Sequence, residues 1–206
     1  MHDVGPPLLT ADEALRRLVA GNERFQRGEA SAMSPGKESL AELALGQRPY
    51  ATILGCSDSR VPPEWLFDAA PGELFVIRVA GNVFSSAVAG SLQYAGSHLK
   101  TPLFVVLGHQ RCGAVEAAMQ TQTDGTLHRS RIQVLVDSIV PGLPAPDPAL
   151  PPSLRLARAI EANVRWTVHQ IMQTPEAQER KGQGHTKIVG ALYDIESGAV
   201  RFLPEE

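Results

Sequence analysis

Residues 50–60 read YATILGCSDSR. Tyr50 to Cys56 is an almost unbroken apolar run, not an alternation of apolar and polar residues, and such a run suits a strand buried on both faces. Three more runs share this character: LFVIRVA (74–80), PLFVVLGH (102–109) and KIVGALYDI (187–195). Helical patterns separate most of them, over roughly 85–99, 112–121, 129–139 and 153–173, the last with Ser153 as its cap and Pro175 as its stop. Strands interleaved with helices predict an α/β fold, a mainly parallel central sheet flanked by helices. The closing YDIESGAVRFL turns at Ser197-Gly198, which predicts an antiparallel C-terminal edge strand.

Upstream of the first strand, Thr10 to Glu13 (TADE) reads as a capping box. It opens a helix with Leu15, Leu18, Val19 and Phe25 on one face and Gly28 as its stop. A shorter helix is predicted after Pro35, ending near Gly46. The expected organisation is one domain over 1–206, with a helical arm over about 10–46 and an α/β core over about 50–206. PGLPAPDPALPP (141–152) carries six prolines and can be neither helix nor central strand, so it reads as a surface connection.

Charge and composition exclude several functions. A net charge of −3 leaves no surplus of Lys and Arg to neutralise phosphates, so no nucleic-acid partner is expected. The longest uncharged run, Val79 to Leu99, is broken by glycines, serines, Asn82, Gln93 and His98, which would be costly in hydrocarbon; no membrane span is predicted. The N-terminus lacks the basic and apolar regions of a signal peptide, and the expected location is cytoplasmic. In a reducing compartment the only two cysteines, Cys56 and Cys112, suit a metal, catalysis or plain burial better than a disulfide.

The chemistry gathers where two of the runs end. CSDSR (56–60) and GHQRCG (108–113) both follow the C-terminal end of a predicted parallel strand, which is where open α/β sheets place their ligand sites. If 56–60 is extended, Cys56, Asp58 and Arg60 share a face and Ser57 and Ser59 point away. His109 and Cys112, three apart, can be aimed at one point by a single turn. Two thiols and an imidazole make a Cys2His set suited to tetrahedral Zn2+, one per chain, with the fourth position open, as in catalytic sites. Two thiolates cancel the charge of the ion, so activity is expected to favour the alkaline side. Asp58 has two exclusive options: fourth metal ligand in a closed state, or partner of the Arg60 fork, from which it can orient the nucleophile. Gly113 permits close approach of backbone N–H groups at a helix start.

At these residues the sequence resembles the β-class carbonic anhydrases, zinc enzymes that interconvert carbon dioxide and bicarbonate. The resemblance extends through LVAGNERF, PGELFVIRVAGN, SLQYA and ALYDIESGAVRFL, and so over nearly the whole chain. It implies Cys56, His109 and Cys112 as zinc ligands and Asp58 with Arg60 as a catalytic dyad. It also implies substrate-binding roles for Gln47, Phe75, Ala80 and Tyr94, in a pocket contributed partly across a dimer. Ala80 stands where some members carry valine, and Ile53 where one regulated subgroup carries tryptophan. The family implies a homodimer or homotetramer.

Two other readings remain open at this point. Relatives on this fold hydrolyse carbonyl sulfide or carbon disulfide, and a non-catalytic zinc-binding protein would keep Asp58 permanently on the metal. His2, His98, His128, His169 and His185 have no comparable company and read as surface or satisfied histidines.

Overall fold

The computed structural model describes residues 9–30, 37–184 and 186–204; the predicted helix start at Pro35 and the histidines His2 and His185 lie outside them. Five strands form one sheet in the order β2-β1-β3-β4-β5. They are β1 (Ala51–Gly55), β2 (Leu74–Arg78), β3 (Leu103–His109), β4 (Lys187–Tyr193) and β5 (Val200–Phe202). All neighbours pair in parallel except β4 with β5, which is antiparallel, as the Ser197-Gly198 turn predicts. Gly198 takes φ 77° there and donates its N–H to the Asp194 carbonyl.

The unbroken apolar runs have the predicted cause: the central strands β1 and β3 are buried along their whole length, covered on both faces. Ile53, Val105 and Ala191 face a core shared with Leu18 of helix α1 (Ala11–Gln26) and Leu66 of α3 (Pro63–Leu66). Their neighbours Leu54, Phe104 and Val106 face the opposite core, built with Val88 and Leu92 of α4 (Ser86–Ser97) and Val164 of α7 (Pro152–Met172). Each buried branched side chain contributes about 1.5–3 kcal/mol. A third cluster caps the C-terminal end of the sheet, where Cys56 and Cys112 pack with Val115 of α5 (Gly113–Asp124), Val136 and Ile139 of α6 (Ile132–Ile139) and Ile160 of α7.

α1 starts as its sequence dictates, with the Thr10 side chain accepting from Glu13 N and the Glu13 carboxylate accepting from Thr10 N. Leu18 is buried as predicted, and Leu15 and Phe25 pack partly buried against the same core; Val19 is exposed instead, and Ala14, Gly21 and Asn22 complete the buried stripe. Gly21 lies so close to α3 that a Cβ there would sit 1.9 Å from the Phe67 carbonyl oxygen. Asn22 then joins three segments: its Nδ2 donates to the Leu66 and Gly198 carbonyls, and its Oδ1 accepts from Val200 N. Asn22→Ala would leave these buried backbone groups unpaired. The expected cost is about 3 kcal/mol, read as a lower denaturant midpoint at unchanged slope.

Three further boundaries differ from expectation. The short second helix, α2, covers Lys37–Leu43 and stops three residues before Gly46. α7 begins at Pro152 with no side-chain cap, so Ser153 is not its cap. Pro175 does not simply end α7: capped by the Thr174 hydroxyl, it opens a further helix, α8 (Pro175–Gly182). Among the described residues no helix is long and apolar enough to cross a membrane.

Candidate metal centre

Cys56 follows the last residue of β1, His109 is the last residue of β3, and Cys112 caps the start of α5. β1 and β3 are adjacent and parallel, so the register brings their C-terminal ends side by side. The ligand atoms of Cys56, His109 and Cys112 lie within 4.8 Å of one another, and all three residues are buried. The two residues between His109 and Cys112 make the necessary reversal, with Arg111 at φ 58°, unusual for a residue with a side chain. Exposed Arg111 forms an ion pair with Glu196 of the β4–β5 turn.

The donor set fits an N/S-ligated ion, and the histidine gives the clearest indication. His109 Nδ1 lies 2.9 Å from the Gln110 carbonyl oxygen, which can only accept, so Nδ1 carries the proton. The Nε2 lone pair is therefore turned into the cluster, where it is fully buried and has no protein hydrogen-bond partner. A carbonyl fixing the tautomer of an imidazole in this way is the usual outer support of a metal ligand. The sulfurs are supported by backbone. Gly81, at φ 72° in the 3-10 turn Ala80–Asn82, donates its N–H to Cys56 Sγ at 3.4 Å. The N–H groups of Ala114 and Val115 at the start of α5 favour the thiolate of Cys112.

Without a cation the two sulfurs act as a pair. The hydrogen bond from Cys112, with help from the backbone N–H groups, lowers the Cys56 thiol to about 4 despite burial. The same contact, with burial, raises Cys112 above the usual thiol range. One thiolate and one thiol thus share a proton, a property of the pair rather than of either residue. A divalent ion needs both sulfurs deprotonated, so metal binding should release about one proton and tighten as pH rises. Titrating Zn2+ calorimetrically in buffers of different ionisation enthalpy measures that proton directly.

Asp58 and Arg60 stand at the mouth of the cluster. Arg60 Nε donates to Asp58 Oδ1 at 2.9 Å and Nη2 to Oδ2 at 2.7 Å, a bidentate fork, while Arg60 N also donates to Oδ1. The arrangement comes from a turn and not from an extended strand: strand β1 ends at Gly55, and Val61 N closes back on the Asp58 carbonyl. Ser57 and Ser59 are exposed nonetheless. The fork holds the Asp58 carboxyl well below the usual carboxylate range, and Oδ2 lies 4.0 Å from His109 Nε2.

Sequence reasoning missed the residues that brace this loop. Arg78, paired in register with Gly55 at the end of β2, donates to the Cys56 carbonyl at 3.0 Å and to the Asp58 carbonyl at 2.6 Å. Its signal was present, a single cation closing an apolar strand. Asn163 of α7 donates to the Gly81 carbonyl and carried no comparable signal.

The remaining candidates divide. Ala80 directly precedes Gly81 beside Cys56, and a side chain built on Gly113 would meet nothing within 4 Å, so the approach there is open. Phe75 is paired in register with Thr52, four residues before Cys56, or about 13 Å along the strand. The Tyr94 ring lies 6.0 Å from that of Phe75, and exposed Gln47 precedes the N-terminal end of β1. Within one chain these three are therefore not gathered with the Cys-His-Cys cluster.

Comparison with known proteins agrees with this geometry. Residues 51–200 match the carbonic anhydrase family. Carbonic anhydrase 2 of Mycobacterium tuberculosis is 41% identical over 189 residues, covering 90% of this chain and 89% of the relative. The carbonic anhydrase of Mycolicibacterium smegmatis is 38% identical over 191 residues, covering 91% and 90%. Among solved structures, the Coccomyxa β-carbonic anhydrase in complex with acetazolamide superposes with a TM-score of 0.73 at 26% identity, covering 93% of this chain and 86% of that one. A structure from the work on two tetrameric β-carbonic anhydrases of Sordaria macrospora gives 0.72 at 25% identity, covering 90% and 91%.

Proposed function

The chain belongs to the β-carbonic anhydrase family, and from that premise we propose that it catalyses the reversible hydration of carbon dioxide to bicarbonate and a proton, using one Zn2+ held by Cys56, His109 and Cys112. The observation that carries this reading is the buried Cys-His-Cys cluster with a clamped carboxylate at its mouth. Zinc bound there would supply the Lewis acidity that lets water act as a nucleophile near neutral pH.

The chain's own residues do the rest. Gln110 fixes the His109 tautomer so that Nε2 faces the metal position, and backbone N–H groups share the negative charge of the two sulfurs. Asp58, kept ionised by Arg60, offers Oδ2 as a hydrogen-bond acceptor for the attacking water, turning its lone pair toward carbon dioxide. Arg60 keeps that carboxylate from swinging onto the metal, the closed state in which Asp58 would be a fourth ligand. The open approach at Gly113, with the small side chain of Ala80 next to Gly81, suits a small, linear substrate.

Gln47, Phe75 and Tyr94 enter this reading as substrate-binding residues supplied to the neighbouring subunit of a homodimer or homotetramer. The Sordaria relatives are tetrameric. Two free thiols at the site suit a reducing, cytoplasmic setting. The test is metal content measured alongside stopped-flow carbon dioxide hydration and sulfide release from carbonyl sulfide. The expected result is one zinc per chain with hydration far outpacing sulfide release. Zinc bound at one per chain without hydration at neutral or alkaline pH would overturn the reading.

A further inference from the structure

Gly81 is held at both ends. Its N–H points at Cys56 Sγ from 3.4 Å, and its carbonyl accepts from Asn163 Nδ2 at 2.9 Å. Asn163 is 1% exposed, on α7, and separated from Gly81 by 82 residues of chain. Burying an amide in the protein interior is costly unless it is hydrogen-bonded. Val164 and Ile160 on the same helix are ordinary core residues. Gly81 itself cannot be rigid through its own side chain. It adopts a left-handed conformation at φ 72°, and a Cβ there would lie 2.8 Å from Ile139 Cδ1. The turn's own bond from Asn82 N to the Val79 carbonyl fixes part of its orientation, and among the described residues the Asn163 side chain is the one that donates to its carbonyl.

We propose that Asn163 is a positioning residue for the metal centre: by fixing the Gly81 carbonyl it aims the Gly81 N–H at Cys56 and so tunes that sulfur as a ligand. The inference rests on the reading of Cys56 as a metal ligand. A hydrogen bond to a thiolate draws electron density from the sulfur and fixes its lone pairs, so its loss makes the sulfur a softer, less well-aimed donor. Partners of this kind change metal affinity by about 10- to 100-fold when removed.

The experiment loads the full chain with Co2+ as a spectroscopic substitute and compares the parent protein with Asn163→Leu, Asn163→Ser and Thr167→Val. Thr167 is also 1% exposed, one turn further along α7, and makes no bond to Gly81, so its variant controls for packing alone. The expected result is a thiolate-to-cobalt absorption band moved to longer wavelength in both Asn163 variants. Cobalt should also pass to a chelator about tenfold faster, while Thr167→Val behaves as the parent. Should Asn163→Leu fail to fold by circular dichroism, the smaller Asn163→Ser decides. Folded Asn163 variants with the parent's band and release rate overturn the proposal, as does Thr167→Val reproducing the same shift. A parent without any thiolate band would instead overturn the metal reading, and this inference with it.

Discussion

Cys112→Ser is expected to remove stoichiometric zinc and lower carbon dioxide hydration by at least about a thousandfold, a small part of the acceleration enzymes provide. Serine fills nearly the same volume at the position just before α5, but its hydroxyl is not ionised near neutral pH and is a poor partner for a borderline-soft ion. Cys56 and His109 alone would then hold the metal, and the backbone N–H groups of Ala114 and Val115 would face a neutral oxygen. The competing view takes Cys112 as a buried core thiol, 1% exposed among Val115, Val136 and Ile139. On that view the same substitution costs about 1–3 kcal/mol for burying a hydroxyl and leaves zinc and activity in place. Measuring metal content, hydration and the unfolding midpoint on one preparation separates the two. Retained zinc with near-parent activity would remove Cys112 from the site, whatever the stability change.

The candidate cluster was legible in the sequence because Cys56, His109 and Cys112 sit where backbone geometry is least ambiguous. Continuous apolar runs located β1 and β3, both motifs began where those runs stopped, and parallel pairing of adjacent strands did the rest. What stayed hidden depends on turns and on distance along the chain. Strand periodicity predicts that Cys56, Asp58 and Arg60 share a face, yet the strand ends before them and a turn brings Asp58 to Arg60. The left-handed Arg111 has no sequence signature, since that conformation normally calls for glycine or asparagine. Asn163 braces Gly81 from 82 residues away, a contact that no local pattern encodes. Pro175 shows a different limit. Proline both ends helices and favours their first turn, so α8 was invisible until Thr174 was seen to cap it.

The same distinction between geometry and mere proximity governs Asp58. Its ion pair with Arg60 contributes little to stability by itself, because the Arg60 side chain is 47% exposed and such pairs are worth about 0–1 kcal/mol. A bidentate fork on a half-wet surface is instead a means of fixing direction, and it leaves Oδ2 4.0 Å from His109 Nε2. Asp58→Asn keeps the shape but turns one oxygen into an N–H2 group. That group either opposes the Arg60 donors or presents a donor where the nucleophile needs an acceptor. The expected result is hydration lowered by about 10²–10⁴ with zinc retained at parent level and stability within about 1 kcal/mol.

The pH profile adds a second readout. Arg60 depresses the Asp58 pKa in the folded protein, so the pair's contribution is complete above about pH 4, the ordinary carboxylate value, and is lost only as pH falls below it. Asp58 therefore stays ionised throughout the neutral and alkaline range. Any rise of activity with pH there belongs to another group, and Asp58→Asn should lower the amplitude of that rise without removing it. Arg60→Ala separates charge from aim: Asp58 remains a carboxylate but is free to turn onto the metal, so zinc should be held at least as tightly while hydration falls. If both variants instead hydrate carbon dioxide within threefold of the parent, the fork is only a surface ion pair, and the lone pair of the nucleophile must be directed by some other acceptor.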